Sequence, residues 1–81
     1  MTTIKQALIK IGRDTNRLFH IAANFNEQSS AIDIVSVEGG FSIMVETPTS
    51  TKQRTFKRFS ELCEFIAQEN LLKVRCFIRL F

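Results

Sequence analysis

Apolar residues recur at helical spacing over the first third of the chain, at steps of three, four and seven positions. This stripe consists of Ile4, Leu8, Ile11, Leu18, Ala22 and Phe25. Thr3 and Gln6 have the spacing of a capping box, in which each side chain bonds a free backbone N–H at a helix start. The pattern predicts helical structure over residues 3–24. It fits one long helix bent near Gly12, or two shorter helices with Asp14 as the second N-cap.

Two runs rich in β-branched residues follow, on either side of a glycine pair. Residues 31–38 and 41–47 flank Gly39 and Gly40. Because glycine readily adopts the positive φ angle that a tight hairpin turn requires, this arrangement predicts a β-hairpin. Residues 24–30 and 48–52 are rich in turn-forming residues and predict loops. Residues 53–56 fit either a short strand or the approach to a helix.

The last third of the chain changes its hydrophobic period once more. Residues 59–70 space their apolar side chains as a helix does, with Asn70 as a C-cap. Residues 71–81 alternate instead, which predicts a strand with one buried face. The apolar side of this strand carries Leu72, Val74, Cys76, Ile78 and Leu80. The opposite side carries Lys73, Arg75, Phe77, Arg79 and Phe81.

The predicted elements therefore run helix, strand, strand, helix, strand. We expect one small α+β domain over residues 1–81, with a mostly antiparallel sheet and the helices packed on one face. A domain of this size buries only about 60% of the surface that its unfolded chain exposes. The chain contains eight Phe residues, and hiding all of them in so small a core is difficult. Apolar surface is therefore expected to remain for an interface, and a homodimer is one way to cover it.

The charge and the cysteines indicate what kind of partner and which cellular compartment to expect. The net charge is +3, and the cations concentrate in residues 52–81, which favours an acidic partner without identifying one. Cys63 and Cys76 follow no apolar leader segment, and no apolar run is long enough to cross a membrane. These observations predict a soluble cytoplasmic protein with reduced thiols and no membrane partner.

Residues able to do chemistry are few and lack the spacing of known sites. His20 is the single histidine, and neither cysteine lies in a metal-binding spacing such as Cys-x-x-Cys. Glu61 and Glu64 fit the first turns of a helix, where carboxylates favourably face the helix dipole. No glycine-rich phosphate fingerprint is present. The sequence predicts no catalytic residue, no cofactor and no metal, and thus a protein that is not an enzyme.

The final strand is the most informative feature for function, because cations and aromatic rings alternate on its polar face. We predict a partner-binding surface there, extended by basic residues from the preceding segment. Its members are Lys52, Arg54, Lys57, Arg58, Lys73, Arg75, Phe77, Arg79 and Phe81. Such a surface suits an acidic protein, and it also suits single-stranded nucleic acid, whose phosphates meet cations and whose bases stack on rings. A third interpretation is a solvated strand face whose Phe side chains are covered by the N-terminal helix or by a dimer mate.

The first hypothesis for function is a non-catalytic protein-binding module, since blocking a target requires surface and no chemistry. An inhibitor of a larger host or defence complex, of the kind that small phage or plasmid accessory proteins provide, fits this hypothesis. Two alternatives stay open. One is a small nucleic-acid-binding protein that uses the basic and aromatic sheet face, and the other is a structural subunit of a homo-oligomer.

Overall fold

The computed structural model describes residues 2–14, 17–24 and 30–81, which form two helices and six strands. In chain order the elements are β1 (Thr2–Thr3), α1 (Ile4–Gly12), β2 (Phe19–Asn24), β3 (Ala31–Val37), β4 (Gly40–Thr47), β5 (Ser50–Phe56), α2 (Phe59–Gln68) and β6 (Arg75–Leu80). The predicted α+β class is confirmed, and so is an antiparallel sheet with the helices on one face. The predicted element order is confirmed in outline. The structure adds a short strand, β1, at the N-terminal end, and it also forms β2 and β5, which the predicted order does not contain.

All six strands belong to one sheet, in the order β1-β6-β2-β3-β4-β5, and every neighbouring pair is antiparallel. Strands β2 to β5 follow one another as a meander. The last strand, β6, returns across the sheet to lie between β1 and β2. As a result β5 forms one edge of the sheet, and three strands separate it from β6.

The core lies between the helices and one side of the sheet. In α1, the buried residues Ile4, Ala7, Leu8 and Ile11 follow the helical spacing i, i+3, i+4, i+7. From α2, Leu62 and Ile66 are fully buried in the same cluster. The strands contribute every second residue, namely Phe19, Ile21, Ala23, Ile32, Ile34, Phe41, Ile43 and Cys76. This alternation leaves the other side of the sheet to the remaining strand residues.

The helix predicted over residues 3–24 is correct only as far as Gly12. Residues 19–24 form strand β2, which pairs with β3 on one side and β6 on the other. Phe19 and Ile21 alternate into the core, and β-sheet partners on both sides outweigh the helical reading of a short apolar run. Phe25, at the end of the predicted stripe, lies outside the described residues.

Local signals at the first helix and the hairpin are confirmed. Thr3 Oγ1 accepts from the backbone N–H of Gln6 at 3.3 Å, and Gln6 Oε1 accepts from that of Thr3 at 3.0 Å. The turn of the β3–β4 hairpin contains Glu38 and Gly39, with Gly39 at φ +80°, and Gly40 already pairs with Val37. Glycine is thus required in the turn because of its positive φ.

The loop predicted over residues 48–52 is shorter than expected. Strand β5 begins at Ser50, directly after a two-residue turn, and its first residue pairs with Thr47. Six of its seven residues are exposed, so the strand lacks the alternation that a buried face would impose. The predicted loop over 24–30 begins one residue late, because Asn24 belongs to β2, and residues 25–29 lie outside the described part.

The second helix ends at Gln68, two residues before the predicted end, with Glu69 as its C-cap and Asn70 as the next residue. Asn70 adopts φ 59°, and the backbone N–H groups of Leu71 and Asn70 donate to the carbonyls of Ile66 and Ala67, both at 3.1 Å. This pair of bonds is a Schellman motif, which ends a helix with one left-handed residue. The strand predicted over 71–81 is confined to Arg75–Leu80, because Leu71 accepts a turn hydrogen bond from Val74 at 3.2 Å.

Candidate functional site: the open sheet face

In the described part of the chain both helices pack on one side of the sheet, and the opposite side has no covering element. We call this side the open face. On β2 to β5 and on β6 with the residues next to them, its side chains are Leu18, His20, Ala22, Asn24, Ala31, Asp33, Val35, Val37, Ser42, Met44, Glu46, Thr51, Gln53, Thr55, Arg75, Phe77, Arg79 and Phe81. Each of them alternates along its strand with a residue that points towards the helices.

Three exposed apolar side chains form a row at one end of the open face. The backbone N–H of Phe81 donates to the carbonyl of Leu18 at 3.0 Å, which places the two residues side by side. Because His20 pairs with Val35, the same antiparallel register sets Leu18 opposite Val37. We call these three residues the end row. Phe81 is 66% exposed, Leu18 is 58% exposed and Val37 is 39% exposed. Phe81 and Leu18 are direct neighbours, and Val37 continues their apolar surface at the same end of the sheet.

Phe77 extends this surface towards the middle of the sheet. It is 75% exposed and pairs with Ala22, whose small side chain leaves the ring free above the sheet. Ala22 in turn pairs with Asp33, and Asp33 with Met44. Phe77 therefore begins a second row of side chains, which crosses four strands. Burying one aromatic side chain from water is worth about 1.5–3 kcal/mol, which is the scale of an interface anchor. Phe77 and Phe81 are the two largest such anchors on the open face.

The charged residues of the open face are balanced in sign. Arg75 and Arg79 alternate with the two rings on β6, while Asp33 and Glu46 lie on β3 and β4. His20 Nε2 lies 2.9 Å from Asp33 Oδ1, and both side chains are partly exposed. Two cations and two carboxylates thus share one surface. The open face offers complementary positions for both signs of charge around an apolar centre.

The structure brings four of the predicted site residues together, namely Arg75, Phe77, Arg79 and Phe81. The other predicted residues lie elsewhere. Lys52 and Arg54 pair with Val45 and Ile43 on β4, so they stand on the helix side of the sheet.

Lys52 Nζ forms an ion pair with Glu69 Oε1 of the segment after α2 at 3.2 Å. Lys57 and Arg58 lie in the β5–α2 connection, and Lys73 lies in the α2–β6 connection. The basic segment does not extend the β6 surface because three strands separate β5 from β6.

Sequence reasoning missed the contribution of β2 and β3 to the open face. Leu18, Val37 and the His20–Asp33 pair were not among the predicted binding residues. Had residues 19–24 been read as a strand, the alternation of Phe19 and Ile21 would have placed Leu18 and His20 on the opposite side. The pairing of β2 with β6, which joins these residues to Phe77 and Phe81, is a tertiary feature that no local pattern in the chain signals.

Both cysteines are free thiols that contact the core. Burial raises the pKa of the Cys63 and Cys76 thiols above the ordinary value of 9.0. A raised pKa disfavours the thiolate, which is the reactive form of cysteine. Among the described residues, no three His, Cys, Asp or Glu side chains form a group that could hold a metal ion.

Comparison with models of protein families, with curated proteins and with solved structures found no match for the chain. Neither described helix has the length and apolar character needed to cross a membrane.

Proposed function

We propose that this protein is a non-catalytic binding module that holds another protein on its open face. The observation that carries the proposal is the pair of rings on β6: Phe77 and Phe81 are 75% and 66% exposed, on a sheet side without a covering element in the described residues. Exposed large apolar side chains that form a continuous surface are typical of interfaces. Aromatic and arginine residues also contribute most of the binding energy in such interfaces.

The balance of charge favours a protein partner over nucleic acid. A surface that binds single strands combines its aromatic rings with a positively charged groove along the phosphate backbone. Here Arg75 and Arg79 are offset by Asp33 and Glu46 on the same face. Other cations lie away from strand β6: Arg54 is on the helix side of the sheet, and Lys57 and Lys73 lie in the connections before and after α2. A protein surface, which carries both signs of charge, fits the open face better.

Inhibition is the use that we propose for this binding. An interface about the size of one sheet face can cover a functional surface on a larger complex, and such blocking needs no chemistry from the inhibitor. We include a cytoplasmic location in the proposal, supported by the two free thiols, since a reducing compartment keeps thiols unpaired.

Nucleic-acid binding is the second candidate function, and the alternation of Arg75, Phe77, Arg79 and Phe81 along one strand supports it. Stacking of a base on an aromatic ring is worth about 1–3 kcal/mol. Binding of this kind releases counterions, so its affinity falls steeply with salt concentration. Binding to a neutral apolar protein surface responds weakly to salt, which separates the two candidates.

The test is an affinity pull-down from native lysate, with and without nuclease, for the wild type and two variants. The first variant, Phe77→Ser with Phe81→Ser, removes both rings. The control is Ile9→Ser, which replaces a 54% exposed apolar side chain on α1. We expect a specific protein complex that survives nuclease, persists with the control and disappears with the first variant.

Three results would contradict the proposal. Partners lost on nuclease treatment would favour the nucleic-acid candidate. Equal retention by both variants would show that the open face is not the interface. Recovery of this chain alone, with a dimer in analytical ultracentrifugation that the double Phe variant dissociates, would favour a homo-oligomeric subunit instead.

A further inference from the structure

A cleft of about 360 Å³ opens at the end of the sheet that carries the end row. Leu18 and Val37 of the end row form part of its wall, and Phe59, the first residue of α2, forms another part. The backbone of Gly39 and Gly40 borders it as well. Its volume falls within the range of ligand-binding pockets, about 300–1,000 Å³.

Two cations stand at this cleft without a matching acid in its wall. Arg17 and Lys57 both line it, both are exposed, and neither forms an ion pair with a described residue. Among the described residues the wall of the cleft contains no Asp or Glu. Asp14 borders a neighbouring cleft together with Arg17, and Glu38 lies in the hairpin turn. The N-terminal end of α2 adds the positive end of a helix dipole, which Glu61 in its first turn partly offsets. The cleft thus combines apolar side chains, polar backbone and two cations in one wall.

The close approach of two backbone segments forms this cleft. Gly40 lies against the Phe56 carbonyl and the Cα of Lys57, so tightly that an added Cβ would collide with the chain. The absence of a side chain at Gly40 therefore lets the β5–α2 connection, with Lys57, come close to the hairpin. Backbone packing thus fixes the Cα of Lys57 beside the hairpin, from where its side chain lines the cleft.

We propose that this cleft receives a carboxylate side chain, an Asp or Glu of the partner protein that binds the open face. Three observations carry the inference: the two cations in the wall of the cleft, the apolar side chains beside them, and the continuity with the open face through Leu18 and Val37. A carboxylate on a short apolar stem matches this combination, because its methylene groups contact the walls while its charge meets Arg17 and Lys57. The inference rests on the proposed protein-binding function, and it names an acidic anchor as part of what the partner must present.

The test uses the isolated full chain and small probes, so that it does not depend on finding the partner. Backbone amide resonances are followed by ¹H–¹⁵N NMR during titration with glutarate at constant ionic strength. Glutaramide, which has the same shape without the charge, serves as the matched probe, and inorganic phosphate is titrated in parallel. We expect saturable shifts for Gly39, Gly40 and Phe59 with glutarate, and none with glutaramide.

Two charge-matched variants locate the binding. Arg17→Gln with Lys57→Gln removes both cations of the cleft, and we expect its affinity for glutarate to fall about tenfold. Arg54→Gln with Lys73→Gln removes the same charge from other elements, and we expect its affinity to stay within about twofold of the wild type. The spectra themselves show whether each variant is folded.

The carboxylate assignment would be overturned by an absence of saturable shifts, by equal shifts with glutaramide, or by equal loss in both variants. Phosphate binding about tenfold tighter than glutarate would also overturn it, because the cleft would then be a phosphate site. A failure here with a successful pull-down leaves the open face as an interface without this anchor. A success here with a failed pull-down would retain the anion site and refute the proposed interface.

Discussion

Replacing Gly40 by alanine should destabilise the fold through a backbone collision. Gly40 begins β4 opposite the end of β5, and an added Cβ would overlap the Phe56 carbonyl oxygen and lie 3.3 Å from the Cα of Lys57. Both obstacles are backbone atoms, which cannot turn aside as the end of a flexible side chain can. The β4–β5 ladder must therefore open at this point.

The magnitude follows from three contributions. Overpacking of this kind costs about 1–3 kcal/mol. Loss of one ladder hydrogen bond adds about 1 kcal/mol. Alanine restricts the unfolded chain and returns about 0.5–1 kcal/mol. The net expectation is a loss of about 1–3 kcal/mol in the free energy of unfolding, or about 5–20 °C in Tm for a domain of this length.

The assay is thermal and urea unfolding followed by circular dichroism, with Gly39→Ala as the control. A Cβ added at Gly39 would meet no atom within 4 Å beyond the adjoining residues. Its substitution therefore costs only the penalty of its φ of +80°. That penalty is about 1–2 kcal/mol. A wild-type Tm for Gly40→Ala, with the expected loss for Gly39→Ala, would refute the close approach of the two backbone segments.

The remaining predictions concern the core, a helix cap and the thiols. Ile66→Ala should lower the free energy of unfolding by about 2–5 kcal/mol, because Ile66 is fully buried. Phe77→Ser should change the free energy of unfolding of the monomer by less than about 0.5 kcal/mol, because Phe77 is exposed. Urea denaturation of the Ile66 and Phe77 variants measures both effects. Asn70→Gly should raise the free energy of unfolding by about 0.5–1 kcal/mol, since glycine adopts the observed φ of 59° without penalty. Finally, the raised pKa of the Cys63 and Cys76 thiols means that the folded protein holds their protons at pH values where the unfolded chain loses them. Their contribution to stability is complete below about pH 9 and is lost as the pH rises through the folded values, so replacing both by alanine should flatten the decline of stability above pH 9.

The elements that could be predicted are those where one strong local signal decides the outcome. The Thr3–Gln6 capping box begins α1, Gly39 turns the hairpin and Asn70 ends α2. In β6 the alternation is visible because its outward residues include Arg75 and Arg79, which contrast with the apolar residues between them. Each of these signals lies within a few residues of sequence.

Strand β2 was mistaken for helix for a reason connected with the proposed function. Ala22 in β2 and Leu18 directly before it are apolar although they face away from the core. Apolar residues on both sides erase the period of two and leave a run that fits a helix equally well. Strand β5 was predicted only in part, as a short strand over residues 53–56 that was one of two alternatives. The reason is the opposite one, because β5 is an edge strand with polar residues on both sides. For β2, the sequence signal fails at the surface that we propose as an interface.

Strand β6 separates the requirements of folding from those of binding. Cys76 points into the core and Ile78 packs against the core. The alternate residues Phe77 and Arg79 point to the opposite side of the sheet. Because the side-chain period of a strand is two, a substitution at Phe77 changes the open face and leaves the packing against the helices intact. A substitution at Cys76 acts on the core and alters the face only by unfolding it. Loss of partner binding in a Phe77 variant of unchanged stability therefore reports on the interface itself, and the same loss in a Cys76 variant does not.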